Sequence, residues 1–132
     1  MTSPRETSAG PRAVHVSRPQ TSSHRQLRGG RGDIRELVGP AQGSRLDIHV
    51  NEIRAGAGPG PYHRHSASEN FYLVLDGVVR LRIDGKDHVV RVGDAAVIPA
   101  GVPHSVSVVD DGAAKVIEIY APANPDFVLV DE

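Results

Sequence analysis

His63-Arg64-His65-Ser66-Ala67-Ser68-Glu69-Asn70 is the stretch on which the fold of this chain turns, and His104 is its distant complement. Two histidines separated by one residue project to the same face of an extended backbone, because side chains alternate with period two. An acid and an amide follow within five residues of His65, and a third imidazole arrives after the turn Pro99-Ala-Gly-Val-Pro103. Imidazole with carboxylate is a ligand set for a borderline divalent ion such as Zn, Fe, Mn, Ni or Co. The chain has no cysteine, so sulfur is not available as a ligand. A lone His-x-His is more often two polar residues on a solvated strand, but the flanks here argue otherwise. Gly56, Gly58, Pro59, Gly60 and Pro61 precede it as a tight loop, and the apolar run Phe71-Tyr-Leu-Val-Leu75 follows as a buried strand.

The second segment, Gly93-Asp-Ala-Ala-Val-Ile-Pro99-Ala-Gly101-Val-Pro-His104, repeats this grammar of a turn delivering a histidine to a strand start. Together the two segments resemble the paired motifs of the cupin superfamily. The second motif matches at Gly93, Pro99, Gly101 and His104, with Val108 where that family has an asparagine. The first matches at His63, His65 and Gly77, and fifteen residues separate Gly77 from Gly93, close to the short spacer of small bacterial cupins. The resemblance covers roughly residues 40 to 122 and implies an all-β fold, a double-stranded β-helix or jelly-roll barrel.

One departure affects the ligand set. Counting forward from His65 places the motif carboxylate at Glu69, whereas counting back from Gly77 places its position at Asn70. Alternation cannot put both on one face unless the strand bulges. The expected metal ligands are therefore His63, His65, His104 and Glu69, with Asn70 as the alternative to Glu69. Glu69 is favoured because an anionic oxygen is the better partner for a divalent cation. Tyr72 shares the face of Asn70 and is a candidate proton donor. Phe71, Val97 and Val106 are expected as apolar walls of the site, and Tyr62 as a cover for it, while Arg64 should face away.

Length suits one domain. Frequent Gly and Pro with few aromatics give a turn-rich β composition. No apolar run approaches the roughly 20 residues needed to cross a bilayer, and the start lacks the apolar core of a signal peptide, so a cytoplasmic protein without a membrane partner is expected. Residues 1–32 carry Arg5, Arg12, Arg18, Arg25, Arg28 and Arg31 against Glu6 alone. They are rich in Ser, Thr, Pro and Gly and lack the interleaved aromatics of a base-stacking surface, so they are expected to form a flexible basic arm that does not bind nucleic acid. An edge strand at 13–17 is expected within that arm, and the barrel domain at 33–132.

Alternating runs then place strands near 33–38, 45–53, 71–75, 78–83, 88–92, 95–98, 104–108, 115–120 and 127–130, punctuated by Asp76-Gly77, Asp84-Gly85 and Asp110-Asp-Gly112. In the strand 45–53, Leu46, Ile48 and Val50 share one face and Asp47, His49 and Asn51 the other, and His49 is expected at the surface. A barrel this small has a limited core, so a homodimer is expected. The resemblance implies a metal-dependent enzyme on a small organic substrate, of dioxygenase or of isomerase, cyclase or lyase type. The alternative is a non-catalytic cupin that binds a small molecule with or without a metal.

Overall fold

The computed structural model describes residues 14–132, and the remainder of the expected arm, residues 1–13, lies outside the described residues. Among the described residues eleven strands are formed: β1 (Ser23–Gln26), β2 (Gly32–Val38), β3 (Asp47–Ile53), β4 (His63–Arg64), β5 (Glu69–Asp76), β6 (Val78–Ile83), β7 (Lys86–Arg91), β8 (Ala95–Ile98), β9 (His104–Val108), β10 (Ala114–Ala121) and β11 (Val128–Leu129). They make two antiparallel sheets, one of six strands in the order β1-β2-β3-β10-β5-β8 and one of five in the order β11-β4-β9-β6-β7. Neighbours that are far apart in sequence, such as β3 with β10 and β4 with β9, give the crossed connectivity of a double-stranded β-helix. Three short 3-10 turns, at Pro19–Thr21, Arg28–Gly30 and Pro40–Gln42, join the early strands.

The turns form where small or acidic residues permit them. Asp84 and Gly85 both adopt positive φ and close the β6–β7 hairpin, the two-residue geometry that matches strand twist. Gly77 also has positive φ, and a Cβ on it would run into the backbone of Ala113 and Ala114, so the first-motif glycine is required for both reasons.

One side of each sheet supplies the core. Ile53, Tyr72, Val74, Val79, Leu81, Val90, Ile98, Val108, Ala114 and Val116 form its buried cluster. Register places these residues in rungs. Ile34, Asn51, Val116 and Val74 are aligned across β2, β3, β10 and β5, while Glu36, His49, Glu118, Tyr72 and Ala96 form the next inward rung out to β8. Apart from Asn51 the first rung is apolar and closes the barrel, and the second faces its mouth.

Two expectations are corrected here. Residues 14–18 form no strand, and Val14 and Val16 are 93% and 66% exposed. Their alternation has no apolar surface to cover, and the backbone of β2 is paired instead by Ser23–Gln26. Packing also begins upstream of residue 33, since β1 is part of the sheet and Leu27 packs against the core. His49 is the second correction: it is 4% exposed, because the polar face of β3 is the one turned into the barrel.

Leu81 lies at the centre of the core with no exposed surface. Leu81→Ala is expected to lower the free energy of unfolding by about 2–5 kcal/mol, measured by urea denaturation. A loss below about 1 kcal/mol would show that this is not the packing centre.

Candidate metal centre

The three motif histidines come together because β4 and β9 are neighbours. His63 pairs directly with His104 across the two strands, and His65 lies on the same face two residues on, with Arg64 turned away to bond Ser66 Oγ at 3.0 Å. All three rings are buried, and one nitrogen from each lies within 4.8 Å of the others. β11 reinforces β4 from the other side, and Phe127 stacks on His63 with ring centroids 4.1 Å apart.

Each ring is anchored through Nδ1. His63 Nδ1 faces the carbonyl of Pro61 at 2.8 Å, His65 Nδ1 that of Asp126 at 2.6 Å and His104 Nδ1 that of Val102 at 3.0 Å. A carbonyl only accepts, so Nδ1–H donates and the Nε2 lone pair of each ring is left for another partner. His65 Nε2 is buried with no hydrogen-bond partner at all. Burial pushes the His63 imidazole down to about 4, against the opposing effect of its Pro61 acceptor, and burial likewise lowers that of His104. Neutral rings with available lone pairs are the metal-binding form.

Glu69 is exposed, whereas Asn70 has no exposed surface. The favoured sequence candidate therefore points out of the barrel, and the amide lies beside the histidines. The reason is register: β5 alternates without a bulge from Asn70 through Tyr72 to Val74, and Tyr120 of β10 fixes Asn70 opposite it. Asn70 Nδ2 donates to the Ile119 carbonyl at 3.3 Å, which turns Oδ1 toward His104 Nε2 at 3.1 Å.

That contact is chemically incomplete. Neutral His104 has one N–H and faces two acceptors, the Val102 carbonyl and Asn70 Oδ1. Whichever tautomer it adopts, one contact sets lone pair against lone pair, and burial disfavours the imidazolium that would satisfy both. A cation between Nε2 and Oδ1 resolves the conflict and also gives His65 Nε2 a partner. The residues present thus fit a divalent ion.

A polar group that the sequence did not single out adjoins this set. Glu118 is buried on β10 and accepts from Asn51 Nδ2 at 2.8 Å. Burial raises its carboxyl pKa, but the nearby His49 imidazole and hydrogen bonding to it outweigh that and hold it below the ordinary carboxylate value. Burial and the Glu118 charge raise the Tyr72 hydroxyl well above its usual pKa, so Tyr72 stays protonated. His49 Nδ1 donates to Asn51 Oδ1 at 2.8 Å, and its Nε2 lies 3.7 Å from Glu118 Oε1. The available signal was that Glu118 lies in phase with Val116 and Tyr120 and out of phase with Lys115, the other charged residue of the strand.

A cavity of about 580 Å³ opens beside these residues, lined among others by His63, His65, Tyr72, Glu118, Val106 and Phe127. Arg28 lies over the Phe127 ring at 4.0 Å on its rim. Of the three expected apolar walls only Val106 lines it. Phe71 and Val97 pair with each other on the opposite face of the six-stranded sheet, Val97 51% exposed. Tyr62 does not cover the site, because its hydroxyl accepts from the Gly85 amide at 3.1 Å.

Comparison with known proteins agrees with this architecture. The cupin domain signature matches residues 49–120, more than half of the chain. The chain belongs to the cupin family. It is 47% identical over 45 residues to quercetin 2,3-dioxygenase of Bacillus subtilis, a match that covers 34% of this cupin and 13% of that much longer protein. The polyketide cyclase RemF from Streptomyces resistomycificus superimposes with a TM-score of 0.75 at 23% identity, over 91% of this chain and 87% of that one. An RmlC-like cupin from Shewanella frigidimarina gives 0.71 at 21% identity, over 85% and 94%. At these identities the structural likeness shows the shared fold. Among the described residues no helix is long and apolar enough to cross a membrane.

Asn51 links His49 to Glu118, so Asn51→Leu keeps much of the volume and strands two buried polar groups. Each such group costs about 1–3 kcal/mol, and a total loss of roughly 2–6 kcal/mol in urea unfolding is expected. An unchanged midpoint would show that the link carries no stability.

Proposed function

We propose that this cupin is a metal-dependent enzyme for a small organic substrate, in which His63, His65, His104 and Asn70 hold one divalent transition ion at the wall of the cavity. The observation that carries the proposal is His104 set between two acceptors while His65 Nε2 has no partner, a pattern that a cation completes. The ion would be Zn, Fe, Mn, Ni or Co, the metals suited to imidazole and oxygen donors. When bound it supplies Lewis acidity or, as iron, redox chemistry with dioxygen.

The chain's own residues have separate tasks. The Pro61, Val102 and Asp126 carbonyls hold the rings in their ligating tautomer and keep them from turning. Phe127 and Val106 cover the site and limit water, which strengthens the electrostatic interactions inside it. Tyr72 keeps its proton and lines the cavity, so it is placed to hydrogen-bond a substrate oxygen there. A substrate of modest size enters from the rim at Arg28 and lies against the aromatic wall. These features suit a dioxygenase or an isomerase, cyclase or lyase, the classes in which quercetin 2,3-dioxygenase and the polyketide cyclase fall.

The test is elemental analysis of untagged protein purified without chelator, beside a His63→Ala/His104→Ala double variant whose fold is checked by circular dichroism. Near-stoichiometric metal in the native chain and its loss in the folded variant are expected. No metal in either, even after reconstitution, would overturn the proposal in favour of a metal-free binding barrel.

A further inference from the structure

A second unsatisfied nitrogen lies in the cavity wall, apart from the three motif histidines. His49 Nε2 is buried without a hydrogen-bond partner, and His49 lines the cavity. The protonation of its ring follows from its neighbours. Glu118 lies directly opposite His49 across β3 and β10 and accepts from Asn51 Nδ2 at 2.8 Å. A carboxylate only accepts, so the Asn51 amide cannot be reversed, and its Oδ1 is the atom 2.8 Å from His49 Nδ1. Nδ1 therefore carries the proton, and Nε2 of the neutral ring is a bare lone pair. It lies 3.7 Å from Glu118 Oε1, beyond hydrogen-bond reach. His49 is not part of the cluster of His63, His65 and His104. Tyr120 packs against both, its ring centroid 5.6 Å from that of His49 and 4.9 Å from that of His65.

A bare lone pair beside a carboxylate can take a proton without leaving a buried charge alone. The imidazolium so formed has Glu118 next to it, whereas the other carboxylates on this face are committed elsewhere. Glu36, opposite His49 on β2, accepts from Arg25 at 2.8 Å, and Asp47 accepts from the Asn124 amide at 2.8 Å. Burial keeps the Tyr72 and Tyr120 hydroxyls protonated, so neither supplies a further charge. Arg25, Arg28 and Arg31 also line the cavity and oppose the entry of a cation, which favours a neutral O–H over an ammonium as the proton source. We propose that His49 is the proton acceptor for a small neutral ligand with an acidic O–H, a phenol or an enol, bound in this cavity apart from the three motif histidines. The ligand O–H bond breaks, its electron pair stays on the ligand oxygen, and the proton forms an N–H bond at Nε2. The imidazolium is balanced by Glu118, and the oxyanion faces the arginine-lined cavity. Asn51 is a positioning residue, because it fixes the tautomer. The step needs no metal ion and so goes beyond the centre proposed above.

The test uses the full chain kept in chelator, with para-nitrophenol as the probe and para-nitroanisole, which lacks the O–H, as its control. Histidine nitrogen NMR of the free protein should show His49 protonated on Nδ1 and bare on Nε2. At a pH where the free probe is neutral, binding should raise the nitrophenolate absorbance band and place a proton on His49 Nε2. The phenol should bind at least about 10-fold more tightly than the anisole, the order of one hydrogen bond to a buried acceptor. His49→Phe keeps a ring but removes the lone pair. In that variant, with its fold checked by circular dichroism, the band should be lost and the two compounds should bind equally. Protons on both His49 nitrogens in the free protein would make the ring a structural ion pair with Glu118 and overturn the proposal. Equal binding of the phenol and the anisole to wild type, no binding of the phenol, or a nitrophenolate band that survives in His49→Phe would also overturn it. The NMR and the phenol–anisole comparison need only wild type, so they decide even if His49→Phe does not fold. Because chelator is present throughout, every one of these outcomes is independent of metal binding by the motif histidines.

Discussion

Three backbone carbonyls set the chemistry of this barrel. Pro61, Val102 and Asp126 each accept a hydrogen bond from the Nδ1 of a motif histidine, and the three acceptors come from the loop before β4, the turn before β9 and the segment before β11. The site therefore exists only when these distant pieces are in register. The β4–β9 pairing that sets His63 opposite His104 provides that register, and β11 and Phe127 secure it from the other side. Because the carbonyls use the Nδ1 protons, the Nε2 lone pairs are left without those acceptors as partners, and one nitrogen of each ring lies within 4.8 Å of the others.

The opposite sheet bears a second polar layer. In the rung from Glu36 through His49, Glu118 and Tyr72 to Ala96, the central residues are removed from water, and Asn51 of the neighbouring rung links His49 to Glu118. The buried carboxylate of Glu118 accepts from Asn51 and has His49 Nε2 3.7 Å away. Below it, the apolar rung of Val116 and Val74 begins the packed core. The barrel is thus divided along its axis into a hydrophobic base that supplies stability and a mouth lined by buried polar groups.

The fold was legible because turn chemistry is local. Asp84-Gly85, Gly77 and the Gly93-to-His104 segment each constrain the backbone where they stand, and strands fill the intervals between them. The side that each strand turns inward was less legible. Alternation in 45–53 separates His49 and Asn51 from Ile48 and Val50 but does not say which set is inside, and the usual preference for apolar interiors misplaces His49. The same ambiguity misplaces Phe71 and Val97. At the fourth corner of the site, the count back from Gly77 gave the buried position, Asn70, while the preference for an anionic ligand pointed to Glu69. Geometry overrode chemical preference because β5 keeps one register from Glu69 to Val74, with its irregularity at Leu75, and a regular strand cannot present consecutive residues to one face. Glu118 was hidden for a different reason: its significance comes from cross-strand neighbours of β3 and β5 that are remote in sequence.

The most direct test of the central claim is nitrogen NMR of the protein labelled at histidine, recorded first with chelator and then with one equivalent of zinc. The account predicts that His63, His65 and His104 carry the proton on Nδ1 and a bare Nε2, and that the Nε2 resonances of these three move together when zinc is added while those of buried His49 and exposed His24 and His88 do not. Protons on Nε2 of these three in the chelated protein, or zinc that shifts the exposed rings and leaves the three unchanged, would contradict it.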